Sequence, residues 1–341
     1  MQEKAGAPTL YGALSKYRGA VMGFAALWIF IFHEYTVLSP AGTAIYTAAK
    51  FVKSIGFAGV DIFLFLSGYG LCFSMERGGV GRFYLRRALR ILPTLLITAI
   101  GYALLEGWTP LDFLKNVTGW SFWFKNVNSF LWFMPAIMAL YALFPVYYSL
   151  LRRQKSPEIF TLTVMAVWLL FSMLRRDAVR YDLFAFTNRI PVFITGAMCA
   201  MRSAKSPGYD GGRLALFAAM LALGLYLALL ANYRGVKLLL TVSNCCIPTY
   251  MLAVSVSFLL PWVLGYAEKI APGRWLVKLL EFFGKMSLEF YCVQEAVGRK
   301  IVEEIGGKAE PFLLNIVILV ASVLAAWLLY LCAAALSRAA A

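Results

Sequence analysis

His33 stands out chemically, because it is the only histidine of the chain and lies inside the apolar run 27–38. Imidazole changes its protonation state near neutral pH, which suits a general base or a nucleophile. An ionisable group in such a run costs free energy unless it has a partner, so we predict a catalytic role. The alternative is a hydrogen bond to a neighbouring helix. Glu34, about 100° further around a helix, is predicted either to polarise His33 through a partner or to line a polar interface.

Five arginines and no lysine lie between residues 77 and 90. The spacing of Arg86 and Arg90 places them on one helical face, and Arg87 flanks that face. Guanidinium groups bind phosphate through two parallel hydrogen bonds. We predict that Arg86, Arg87 and Arg90 bind a phosphorylated donor that arrives from the cytoplasm. The alternative is a cytoplasmic cluster that contacts lipid phosphates.

Arg18 lies fifteen residues before His33, which is about four helical turns and therefore broadly the same face. A cation at the entrance and a base beyond it would hold a long anionic ligand between them. The alternative for Arg18 is a simple membrane anchor.

Asp61 lies in a glycine-rich apolar segment, residues 56–71. A carboxylate in a membrane helix needs a partner, either an arginine or His33. We predict that Asp61 orients one of these groups, with a purely structural ion pair as the alternative. Ser67 lies beside glycines that allow close helix approach.

Three further residues are candidates for contact with a substrate: Trp132, Arg189 and Glu289. Trp132 begins an aromatic pair ahead of a proline, where an interfacial aromatic belt is the alternative. Arg189 begins one apolar segment and Glu289 lies in another, so the sequence allows the two to pair.

Composition indicates which elements position these residues. The 341 residues are 61% hydrophobic and 14% charged, with a mean hydropathy of +0.73. The apolar runs are roughly 17–25 residues long, enough to cross a membrane as helices, and they lack the alternation of a β-barrel. We predict an all-α polytopic membrane protein with about ten transmembrane helices. The predicted spans are 18–37, 54–74, 91–107, 129–151, 158–174, 184–201, 214–232, 238–265, 276–297 and 311–336.

We expect one transmembrane domain over residues 1–341, with no soluble appendage and no cleavable signal peptide. The basic residues favour a multi-pass membrane protein with both termini in the cytoplasm. The net charge of +15 lies mainly in short loops, which favours membrane lipids rather than nucleic acid as partners. The span 276–297 is the least apolar and is predicted to face protein or water.

Several function classes lack their sequence signals. The chain has no P-loop, no HExxH and no GxSxG, and its single histidine argues against a multi-histidine metal site. The six cysteines form no CxxC pair and are predicted to be small buried residues.

Six segments follow one another along the chain: IFIFH, GVDIFLFLSGYGL, RRALRILP, SFLWFMPAIMALYALFP, NRIPVFITGAM and FGKMSLEFYCVQ. In this order they resemble acyltransferase family 3, the polytopic bacterial membrane O-acyltransferases. The resemblance extends over nearly the whole chain, and it implies the bacterial cytoplasmic (inner) membrane as the location.

This resemblance implies transfer of an acyl group, often acetyl, from cytoplasmic acyl-CoA to a hydroxyl of an envelope polysaccharide, a glycolipid or a lipid-linked sugar. It implies that His33 is the essential histidine and that Ser67 is the glycine-flanked serine. The arginine motif corresponds to Arg86, Arg87 and Arg90. The donor substrate is then acyl-CoA, in particular acetyl-CoA, and no metal is expected.

Two positions depart from the family pattern. Met22 stands where a basic residue is common, and Arg18, one turn earlier on nearly the same face, is the candidate substitute. Gln294 stands where a late histidine is common, which argues against a mechanism with two histidines. Two alternatives therefore stay open: a transporter or flippase of an anionic or glycan substrate, and a non-catalytic relative.

Overall fold

The computed structural model describes residues 9–33, 42–125, 130–174, 183–234, 246–305 and 310–340. Within these ranges the chain is helical and forms no strand; one isolated bridge pairs Thr9 with Gly208. This agrees with the predicted all-α class.

The α-helices of the described residues are numbered in chain order. The first eight are α1 (Leu10–Lys16), α2 (Arg18–His33), α3 (Ala44–Ser54), α4 (Ala58–Glu76), α5 (Gly79–Glu106), α6 (Pro110–Val117), α7 (Trp120–Phe124) and α8 (Phe133–Arg152). The others are α9 (Pro157–Leu174), α10 (Phe184–Thr187), α11 (Ile190–Met201), α12 (Gly211–Arg234), α13 (Cys246–Ala267), α14 (Ala271–Lys285), α15 (Ser287–Ile305) and α16 (Pro311–Ala339). Short 3₁₀ helices lie at Phe130–Trp132 and Ser203–Lys205.

Among the described helices, 7 are long and apolar enough to cross a membrane: α4, α5, α8, α9, α12, α13 and α16. They coincide with seven of the ten predicted spans and confirm a polytopic helical membrane protein. The other three predicted spans do not correspond to any of these seven helices. The first contains α2, with 16 residues, and the span 184–201 contains α11, with 12. The span 276–297 is divided at Met286 into α14 and α15.

Helix α4 lies at the centre of the bundle and contacts α2, α11 and α13. Its contact with α11 depends on two glycines. A Cβ on Gly68 would lie 2.0 Å from the Phe193 carbonyl oxygen, and a Cβ on Gly196 would lie 2.0 Å from the Phe65 carbonyl oxygen. The two backbones therefore touch, as small residues allow in membrane helices.

Helix α2 is held equally closely against α14. A Cβ on Gly23 would lie 1.8 Å from the Leu280 carbonyl oxygen, and a Cβ on Gly284 would lie 2.0 Å from the Gly19 carbonyl oxygen. On its other side, α2 runs antiparallel to α4. These contacts fix both ends of α2 relative to the helices that carry the remaining polar residues.

Candidate functional site

A cavity of about 350 Å³ opens between α2, α4, α5, α8 and the junction of α14 with α15. Its apolar wall consists of Met22, Phe63, Ile91, Phe133, Ile137 and Leu288. Its polar wall consists of four cations and four hydroxyl groups, which are Arg18, Arg87, Arg90, Lys285, Ser67, Tyr141, Ser287 and Tyr291. The cavity therefore combines an apolar face with concentrated positive charge.

No carboxylate from the part of the chain that the structure describes lines this cavity. Among the described residues, Arg18, Arg87 and Lys285 form no ion pair, so their charges are not neutralised by protein. Arg18 and Arg87 are half-buried, whereas Lys285 is exposed. Partly buried cations without counter-charges are costly unless an anionic ligand supplies that charge. The arrangement is that of an anion-binding site, and phosphate groups suit arginine forks best.

Arg18 begins α2 and lies against the backbone of α4 at Gly70. A Cβ at Gly70 would lie 2.6 Å from Arg18 Nη2, so the glycine provides the space that the guanidinium occupies. Ser67 lies about one turn earlier on α4 and faces the same cavity. Arg18, Met22 and Ser67 thus line the same cavity, and donor binding by Arg18 and Ser67 stays a prediction.

Two of the three predicted motif arginines line the cavity, and the third does not. Arg87 lies beside the ring of Tyr141, 5.7 Å from its centroid, and donates to Ser74 Oγ at 3.3 Å. Arg86 turns to the end of α4 instead and donates to the Ser74 carbonyl oxygen at 2.7 Å. Neighbouring arginines therefore have different surroundings, because one residue step turns a side chain about 100° around α5.

Arg90 is held by Glu289, a carboxylate with no exposed surface. Arg90 Nη2 donates to Glu289 Oε2 at 3.1 Å, Arg90 Nη1 donates to Oε1, and Thr94 Oγ1 donates to Oε1 at 2.9 Å. Glu289 therefore does not form the pair with Arg189 that the sequence allowed. Glu289 lies on α15 and fixes the Arg90 side chain, but it does not line the cavity itself.

Arg189 pairs with Asp61 instead. Its Nε lies 3.4 Å from Asp61 Oδ2, and its guanidinium carbon lies 5.1 Å from the centre of the Trp132 ring. The glycine contact between α4 and α11 explains this partner: Gly68 faces Gly196, and the same register places Asp61 beside Arg189. Asp61 thus contacts an arginine rather than the imidazole, and none of these three residues lines the cavity.

His33 ends α2, about 22 Å along the helix from Arg18 at 1.5 Å per residue. Its Nδ1 lies 3.4 Å from Gln294 Nε2, and its Nε2 lies 3.8 Å from Glu295 Oε2. The ring therefore contacts two residues of α15, whereas Asp61, one of the partners that the sequence allowed for it, pairs with Arg189. The His33 side chain is 26% exposed, which leaves it open to a substrate. Glu34 lies outside the described residues.

The cavity and His33 are linked through α15. Tyr291 lines the cavity, and Gln294, the contact of His33, follows one turn later, about 4.5 Å along the helix axis. Phe30 and Phe290 pack with ring centroids 5.7 Å apart, which holds α15 alongside α2 at this level. On α2, however, the last cavity-lining residue is Met22, about 16 Å along the helix from His33.

Six residues of this arrangement were not selected from the sequence: Tyr141, Lys285, Ser287 and Tyr291 in the cavity, and Gln294 and Glu295 as contacts of His33. For all but Tyr141, the signal was the unusual polarity of the span 276–297. Glu289 and Gln294 are buried in protein, at 0% and 2% exposure, which confirms that this segment does not face lipid with its polar side.

A protein-family model described as an acyltransferase domain matches residues 21–331 of the chain. No curated protein and no solved structure matches it.

Proposed function

Because the chain belongs to the acyltransferase family whose model covers residues 21–331, we propose an acyl-CoA donor for this multi-pass membrane enzyme. The acyl group, acetyl in the simplest case, passes to a hydroxyl of an envelope polysaccharide, a glycolipid or a lipid-linked sugar. The observation that carries the proposal is the cavity with three cations that no described carboxylate neutralises.

The donor fits the cavity by charge and by polarity. The diphosphate of acyl-CoA would lie against Arg18, Arg87 and Lys285, where arginine forks bind phosphate oxygens. Arg90, held by Glu289, would contribute a guanidinium of fixed orientation. The apolar wall suits the uncharged pantetheine arm, which would extend past Tyr291 toward His33.

His33 would act as the base. The imidazole takes the proton of the acceptor hydroxyl while that oxygen attacks the thioester carbonyl carbon. The carbon–sulfur bond then breaks, and the departing CoA thiolate receives the proton from the imidazolium. Glu295, 3.8 Å from Nε2, would stabilise the imidazolium between these steps. The alternative is that His33 acts as the nucleophile and itself takes the acyl group from the thioester.

The arginine end of α5 would face the cytoplasm, because cytoplasmic segments of inner-membrane proteins are rich in Lys and Arg. Both termini would then be cytoplasmic. The acceptor would approach from the other end of α2, where Arg189 and Trp132 are stacked and Asp61 holds the arginine.

The test is transfer of radiolabelled acetyl from acetyl-CoA to envelope glycan by membranes that contain the protein. CoA binding to the purified protein is measured in parallel. We expect wild type to bind CoA and to transfer label. Movement of a glycan across the membrane without CoA binding or turnover would show a transporter and overturn the proposal.

A further inference from the structure

A second cavity, of about 680 Å³, lies on the outer side of α16. It is formed between the last turns of α16, the first half of α5 and the end of α14. It shares two residues, Arg90 and Lys285, with the cavity described above. The two spaces are therefore neighbours, separated by these basic side chains.

The walls of this second cavity are apolar. Tyr330 and Leu331 form one side, and Leu331 is 46% exposed on the surface of a helix that is apolar enough to cross the membrane. Ser337 donates its hydroxyl to the Leu89 and Ala333 carbonyl oxygens, so it offers no free donor to a ligand. Such a surface suits a hydrocarbon chain rather than a sugar or a nucleotide base.

The rim of the cavity is positive. Arg90 is neutralised by Glu289, which leaves Lys285 and Arg338. Among the described residues neither of these two forms an ion pair, and no carboxylate lines the cavity. Lys285 ends α14 and Arg338 lies in the last turn of α16, so both cations stand where helices end.

This second cavity, called the groove below, has apolar walls and, at one end, two cations that form no ion pair among the described residues. It therefore matches an amphiphile with an anionic head. We propose that this groove binds an anionic phospholipid, with its phosphate between Lys285 and Arg338 and an acyl chain along Tyr330 and Leu331. The phosphodiester supplies the negative charge that both side chains lack, and basic pockets beside transmembrane helices are suited to such headgroups. This site adjoins the proposed donor site and shares Arg90 and Lys285 with it, whereas Arg338 lines this site and not the donor cavity.

Native mass spectrometry of the purified full chain tests this proposal, with phosphatidylglycerol and phosphatidylcholine added in equal amounts. We expect wild type to retain phosphatidylglycerol preferentially. Arg338→Ala should weaken its retention about fivefold, since one basic residue near anionic lipid contributes about 1 kcal/mol. Arg152→Ala is the matched control, because Arg152 lies in the last turn of α8, also a candidate span, and does not line the groove.

Three results would overturn the proposal. Equal retention by the Arg338→Ala and Arg152→Ala variants would show that the groove does not select the lipid. Displacement of phosphatidylglycerol by inorganic phosphate at equal concentration would show a simple phosphate site. Displacement by CoA, together with weaker CoA binding by Arg338→Ala, would show that the groove belongs to the nucleotide of the donor.

Discussion

The two ends of α2 differ in how their polar residues are supported. At the Arg18 end, three cations from three helices line one cavity, and none of them pairs with a carboxylate of the described residues. At the His33 end, one imidazole contacts a neutral amide and a carboxylate on α15. The first arrangement is suited to hold an anion, and the second is suited to move a proton. Substitutions at the two ends should therefore separate binding from chemistry.

The largest effect is expected from His33→Ala. If His33 is the base, its loss should reduce acyl transfer about 10²–10⁴-fold, the range for general acid–base catalysis. CoA binding should be unchanged, because His33 does not line the cavity. Transfer by isolated membranes and CoA binding by calorimetry measure the two quantities. Normal transfer by this variant would remove His33 from the mechanism.

Two ion pairs, each with a buried carboxylate, provide the next test: Asp61 with Arg189, and Glu289 with Arg90. Asp61→Asn leaves Arg189 without a carboxylate in a buried site, at 11% exposure, and we expect a loss of about 3–5 kcal/mol in stability. Glu289→Gln should cost less, because the Arg90 side chain is 40% exposed and solvent screens its charge. Thermal unfolding in detergent gives this order of stability.

Only Glu289→Gln should also weaken CoA binding, because Arg90 lines the cavity and Arg189 does not. Thr94→Val serves as the control for Glu289, since it removes one hydrogen bond to the carboxylate but keeps its charge. If Asp61→Asn weakened CoA binding as much as Glu289→Gln, the assignment of the donor to this cavity would be wrong.

Arg87→Ala is the next test, and Arg86→Ala is its matched control. The two arginines are adjacent on α5 and both donate to Ser74, but only Arg87 lines the cavity. A hydrogen bond to a charged group contributes about 1.5–3 kcal/mol, so Arg87→Ala should weaken CoA binding about 10- to 150-fold. Arg86→Ala should leave CoA affinity within about twofold. The reverse order would place the donor elsewhere.

The sequence predicted the arginine end of the molecule better than the partners inside it. The arginine cluster was identifiable because spacing along one helix is local information. The spacing placed Arg86 on the face of Arg90 and Arg87 beside it. In the structure, Arg87 and Arg90 line the cavity and Arg86 does not. The partner of Arg189 was not identifiable, because it depends on the register in which the glycines let α4 meet α11. Lys285 and Tyr291 became site residues only because Met286 divides a predicted span and turns α14 and α15 onto the cavity.

The smallest effect is expected from Gln294, where the family pattern resembled by the sequence often has histidine. Gln294 Nε2 lies 3.4 Å from His33 Nδ1, so Gln294→Leu removes one neutral contact of the ring. A hydrogen bond of this kind contributes about 1 kcal/mol, which predicts about a fivefold loss in kcat with KM for acyl-CoA unchanged.

Gln294→His distinguishes positioning from packing. The ring nitrogen of the new histidine can restore a hydrogen bond to His33, so Gln294→His should have a higher kcat than Gln294→Leu. If packing alone mattered, leucine, which fits an apolar site better, would give the higher kcat. Steady-state kinetics of the three proteins measure this. A rise in KM for acyl-CoA with constant kcat would instead assign Gln294 to donor binding. Binding and chemistry would then not separate between the two ends of α2, because Gln294 contacts His33 at the catalytic end.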